Sequence, residues 1–150
     1  MILSLHTNDT APPARHYLES RLRHVARLAG VDRGLITVAA VDDRHMTRLH
    51  RQFLGLSGPT DVLTFDLRVH LDDPLEGDIV VNVDEAIRQA EPRGHGARHE
   101  LLLYAVHGLL HLLGYDDQDL NRATAMHARE DDLLEAIGVG PIYHAKGESP

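Results

Sequence analysis

The chain has no cysteine. Disulfides and thiolate ligands are excluded, so any metal must be held by His, Asp or Glu. The same absence fits a reducing compartment. Lysine is nearly missing as well: of 15 basic residues only Lys146 is one. No stretch approaches the ~20 apolar residues of a membrane span. The N-terminus lacks the basic-then-apolar layout of a signal peptide. A cytoplasmic protein with no membrane partner is expected. Positive charge is also short, with a formal net charge of −8. That counts against a general nucleic-acid binder, which is expected to carry a basic surface. The arginine bias suits bidentate contact with phosphate, but it equally reflects genome composition.

What is present is a 150-residue chain, enough for one domain with one sizeable core. Its 12 histidines make the net charge sensitive to mildly acid pH. Met1–His6 reads as an edge strand. Thr10, Pro12 and Pro13 read as a helix entry, followed by Tyr17, Leu18, Leu22, Val25 and Ala26 at helical spacing and a stop at Gly30. Leu35–Val41 is a buried strand, placed parallel to the first by the intervening helix. Asp42 or Asp43 caps a short helix with Met46, Leu49 and Phe53 inward and Gly55 at its end. Strands follow at Val62–Leu67 and Gly77–Val83, paired antiparallel. A short helix runs from Asp84 to Ala90, and an amphipathic one from Asp119 to Ile137, with Leu120, Ala123, Met126, Leu133 and Leu134 on its stripe. Glu130 falls on that stripe, either at its edge reaching water or buried behind a functional site. The expected fold is α+β: a mixed sheet of about four strands with about five helices around a central buried helix. Residues 1–150 form a single domain, and 141–150 a loose tail.

The central helix spans about His95 to Leu113, and it is apolar almost all round, which marks a core helix. On it sit His107 and His111, four apart and therefore one turn apart on one side. Gly114 ends the helix and turns the chain back, returning Tyr115, Asp116 and Asp117 past the pair. Two buried imidazoles without partners cost roughly 1–3 kcal/mol each. A shared metal ion relieves both, and two helical histidines with a third ligand beyond leave an open position of the catalytic kind. Zinc proteases place a general-base Glu after the first His. Here that position is Gly108, which argues against peptide hydrolysis by that route.

The stretch HGLLHLLGYDD resembles the signature of the YbeY family, bacterial endoribonucleases of ribosomal-RNA maturation. Pro59–Phe65 (PTDVLTF) resembles the family's second motif, and Gly77-Asp78-Ile79 its G-D-I strand start. The likeness covers roughly Leu35 to Gly138. It implies one zinc ion per chain, single-stranded or ribosomal RNA as substrate, and the small ribosomal subunit as partner. Two positions depart from it. The family's last metal-binding histidine is Asp117 here, leaving His107, His111 and Asp117 as the expected ligand set, with Asp116 as the alternative. A carboxylate in that place makes the metal a weaker Lewis acid and favours harder ions. The family's arginine ahead of the PTD motif is Leu54 here, and Arg51 is the nearest substitute as a catalytic residue. The implied activity is a metal-dependent endoribonuclease of ribosomal-RNA maturation and ribosome quality control. Two other readings stand beside it: a metallohydrolase with another substrate, and a non-catalytic, metal-stabilised ribosome-assembly factor.

Overall fold

The computed structural model describes residues 2–7 and 12–139. Among the described residues nine elements follow one another: β1 (Ile2–Thr7), α1 (Pro12–Leu28), β2 (Gly34–Val41), α2 (Asp43–Leu54), β3 (Val62–Asp66), β4 (Leu75–Asn82), α3 (Val83–Arg93), α4 (Ala97–Leu112) and α5 (Leu120–Ala136). The class is α+β, as expected. Thr10, His144 and the tail at 141–150 lie outside the described residues.

The strands form one sheet in the order β1-β2-β4-β3. β1, β2 and β4 are parallel, with Leu5 opposite Val38 and Val38 opposite Ile79. β3 runs antiparallel to β4, Leu63 facing Val80. The α1 crossover and the short β3–β4 connection are both as the sequence implied. β4 begins two residues earlier than read, at Leu75, because Leu75 continues the ladder to Gly34 and is buried.

Side chains alternate between the two faces, and the two faces carry unequal cover. On one, Ile36, Val38, Ala40, Ile79 and Val81 join the main core with α1, α4 and α5. On the other, Val41, Leu63 and Val80 meet Met46 of α2 in a small cluster. Phe53 was expected inward on α2; it is 55% exposed, with its ring set edge-on to Phe65. Leu120 is likewise exposed at the first turn of α5. Periodicity assigns a face; it does not say how far along the helix that face has something to cover.

The helix ends are fixed by local chemistry. Asp42 caps α2 by accepting from the His45 amide at 2.8 Å, and Gly55 closes it in the left-handed region. Asn82 caps α3 from the end of β4. α4 is buried along nearly its whole length and packs on α1, α3, α5, β3 and β4. Its position is fixed by the rest of the molecule.

Candidate metal centre

α4 comes unusually close to the sheet at Gly108. A Cβ there would stand 2.7 Å from Ile79 Cγ2 and 3.4 Å from Thr64 Cγ2. The close passage sets the two flanking histidines at the sheet's edge. Past Leu113, Gly114 takes φ +104°, and the Tyr115 amide donates back to the Leu110 carbonyl at 3.0 Å. The chain is thereby folded back over the last turn of the helix, as the sequence suggested. Arg68 clamps the same end, donating to the Leu112 carbonyl at 2.9 Å and to Asp66 at 2.7 Å.

Each histidine has one ring nitrogen occupied and the other turned to its neighbour. His107 Nδ1 bonds the Glu130 carboxyl group. His111 Nδ1 lies 3.1 Å from the Tyr115 carbonyl oxygen, which can only accept. Both Nδ1 atoms are therefore the protonated ones when the rings are neutral. Their Nε2 atoms face each other at 3.1 Å. Two unprotonated nitrogens at that distance repel unless a cation lies between them. Two nitrogens on one tetrahedral zinc would be ~3.3 Å apart, given Zn–N bonds of ~2.0–2.1 Å. The donor set and its outer hydrogen bonds fit a metal ion.

Without metal, a proton can take the bridging place. Burial opposes charging His107, but the hydrogen bond and charge of Glu130, with Asp61 and Asp117 behind them, outweigh it and raise its pKa. Burial and the neighbouring His107 lower the pKa of His111, making it the acceptor.

Asp117 Oδ2 lies 3.8 Å from His107 Nε2, on a side chain 49% exposed. His107, His111 and Asp117 each offer a ligand atom within 4.8 Å of the others. Asp116 turns elsewhere, toward Arg122 at 3.3 Å and the Gln118 amide at 3.2 Å. Glu130, for which the sequence left an edge and a buried position open, is 1% exposed. Its second oxygen bonds His127 Nδ1 at 3.1 Å, so the carboxyl group joins two imidazoles. The sequence carried a trace of this: Glu130 stands on the apolar stripe, four residues from both Met126 and Leu134. Nothing in the sequence joined it to His107, 23 residues away.

Two cavities flank the histidine pair. The larger, ≈ 320 Å³, is lined by Leu54, Val62–Asp66, His111 and Leu112. Arg51 is exposed on α2 and is not part of that lining, whereas Leu54 is. The smaller, ≈ 90 Å³, lies beside His107, with Asp61, Arg93, Tyr104, His127 and Glu130.

The chain is similar to known proteins over most of its length. Residues 5–138 match the family described as Endoribonuclease YbeY. A protein of that name from Moorella thermoacetica is 35% identical over 93% of this chain and 99% of its own length. One from Nocardioides is 42% identical over 67% of this chain and 73% of its own length. A solution structure of a Thermotoga maritima protein shares the fold, with a TM-score of 0.63 at 21% identity, covering 99% of this chain and 100% of that one.

Proposed function

The chain belongs to the endoribonuclease YbeY family, and from that premise we propose that it is a zinc-dependent, single-strand-selective endoribonuclease acting in ribosomal-RNA maturation. The observation that carries the metal-dependent part is the pair of Nε2 atoms 3.1 Å apart, each with its Nδ1 engaged. The RNA substrate, the small ribosomal subunit as partner and a cytoplasmic location rest on the family. Among the described residues no helix is long and apolar enough to cross a membrane.

His107, His111 and Asp117 would hold the ion. When bound, zinc supplies Lewis acidity toward a phosphate oxygen and lowers the pKa of water. The chain's own residues do the rest. Glu130 and the Tyr115 carbonyl hold the two rings in register and keep their Nε2 lone pairs inward. Leu54, Val62, Phe65 and Leu112 supply the apolar part of the large cleft's lining, beside Thr64, Asp66 and His111. Unpaired bases can use such a surface, while a duplex keeps its bases stacked inside.

His111→Ala tests the reading. Wild type should carry about one zinc per chain by elemental mass spectrometry and cut unstructured RNA; the variant should lose both while keeping its circular dichroism spectrum. Cleavage retained by metal-free variant protein would overturn it. A second reading, a ribosome-assembly factor without catalysis, is favoured by Leu54 standing in the cleft where the family resemblance places an arginine. Co-sedimentation with small subunits, without cleavage of any RNA, would select that reading.

A further inference from the structure

β3 is the last strand of the sheet, so one of its edges has no partner strand. In an antiparallel pair, alternate residues turn both main-chain groups toward the neighbouring strand and the rest turn both away. Two bonds at the ends of the β3–β4 ladder fix which is which. The Leu67 amide donates to the Glu76 carbonyl and the Asn82 amide to the Asp61 carbonyl, both at 2.9 Å. With Leu63 opposite Val80, the odd-numbered residues of β3 face β4. Val62, Thr64 and Asp66 therefore direct their N–H and C=O groups to the open edge, and among the described residues no other main chain bonds them. That edge is the floor of the ≈ 320 Å³ cleft. Leu63 and Phe65 sit with Met46 of α2 on one face, whereas Val62 joins the main core and Thr64 lies against Gly108 of α4. Yet all five residues from Val62 to Asp66 line one cleft, which residues from opposite faces of a strand can share only along its edge. Leu54 stands on one wall, His111 and Leu112 on the other.

Each outward residue sets a donor and an acceptor side by side. A phosphodiester only accepts, so along this edge it would meet carbonyl oxygens that it cannot bond. The lining carries no lysine or arginine to hold it, and its one carboxylate, Asp66, is already bonded twice by Arg68. A nucleobase is uncharged, and its Watson–Crick edge also presents a donor beside an acceptor. Unpaired bases are recognised by hydrogen bonds to that edge and by contact with their faces, for which Leu54 and Leu112 offer apolar surface. An extended peptide would match the edge too; the cleft's continuity with His111, in a family of endoribonucleases, favours RNA. Thr64 is the outward residue beside the metal helix: its Cγ2 stands 3.4 Å from where a Cβ on Gly108 would be, one position past His107. We propose that the main-chain N–H and C=O of Thr64 bond the Watson–Crick edge of one unpaired base, next to the phosphate held at His107 and His111. The identity of the strand rests on the nuclease reading, which the proposal deepens. Main-chain atoms of an edge strand carry the selectivity for unpaired RNA, because a duplex has every Watson–Crick edge already in use.

The test uses full-length, zinc-loaded protein and short unstructured RNA oligomers. Each carries one base methylated on its Watson–Crick edge, as 1-methyladenosine or 3-methyluridine. The control is 5-methyluridine, whose methyl group lies off that edge. Cleavage should fall about tenfold or more, the order of two lost hydrogen bonds, when the blocked base stands at one fixed offset from the cut. The control should cut normally at every offset. A second readout does not need cleavage. Amide hydrogen exchange, followed residue by residue by NMR, should slow severalfold at Thr64 when unmodified RNA is added. It should stay unchanged at Leu63 and Phe65, which already bond β4. An oligomer blocked at every base should leave Thr64 exchanging as in the free protein. Cleavage indifferent to the blocked base at every offset, or a Thr64 amide that RNA does not protect, would overturn the proposal. So would protection by a mixture of random heptapeptides but not by RNA, which gives the edge to a peptide strand. The two readings fail separately. Protection of Thr64 without cleavage removes the nuclease and keeps the edge; cleavage without protection does the reverse.

Discussion

Glu130 lies in the core with 1% of its surface exposed, and both its oxygens bond imidazole nitrogens. A buried carboxyl group without donors would cost several kcal/mol, so its placement is tied to the two rings. If His107 binds the proposed ion, Glu130 would act on metal affinity through it in two opposed ways. It makes Nε2 a better ligand, and it raises the His107 pKa so that protons compete harder. Zinc affinity should accordingly fall about tenfold per pH unit once the pH drops below that raised pKa. Glu130→Gln removes the charge. Affinity on the alkaline side should weaken ~10–100-fold, while the acid fall should begin at a lower pH than in wild type. Chelator competition across pH reads both. An unchanged pH profile would mean that Glu130 does not govern His107.

Among the elements, α4 and the β3–β4 pair depend on each other through glycine. Gly108 lets the helix down onto Ile79 and Thr64, and Gly77 makes room for Leu112, whose Cδ atoms stand 2.8 Å from where a Cβ would be. Gly108→Ala gains ~1 kcal/mol of helix propensity but pushes a methyl into a fully buried Ile79. Overpacking costs about 1–3 kcal/mol, so the variant should unfold at lower urea than wild type; an equal or higher midpoint would show that the sheet yields at no cost. The element pattern was legible because it is local. An all-apolar run with Gly114 behind it can only be a core helix with a turned end. Asp42 and Gly55 likewise announce the limits of α2. Glu130 was not legible in the same way. Its role depends on which helices meet, and a stripe on α5 does not say which residue of α4 it will touch. The exposed Phe53 shows the same limit from the apolar side.

For the whole molecule, the core is assembled from α1, α4, α5 and one sheet face without the proposed metal ligands taking part. Metal removal should therefore leave the fold standing. After chelation the far-ultraviolet spectrum should be unchanged. At zinc a hundredfold above its Kd, ligand linkage adds about 2.7 kcal/mol, roughly 5–10 °C in melting temperature for a chain of this length. Collapse of the spectrum on chelation would make the site a structural staple. The distribution of cover around the ligands has a kinetic side as well. The helix bearing His107 and His111 is enclosed on its length, whereas Asp117 is half exposed on the returning loop. Local openings begin at surface loops and reach core helices last. The amide hydrogens of α4 then trade with solvent only when the entire domain opens, while the loop opens many times between such events. On the proposed ligand set, the site works as a latch with two fixed jaws and one that swings. How fast an ion comes and goes is set by that short loop, independently of how stable the domain is.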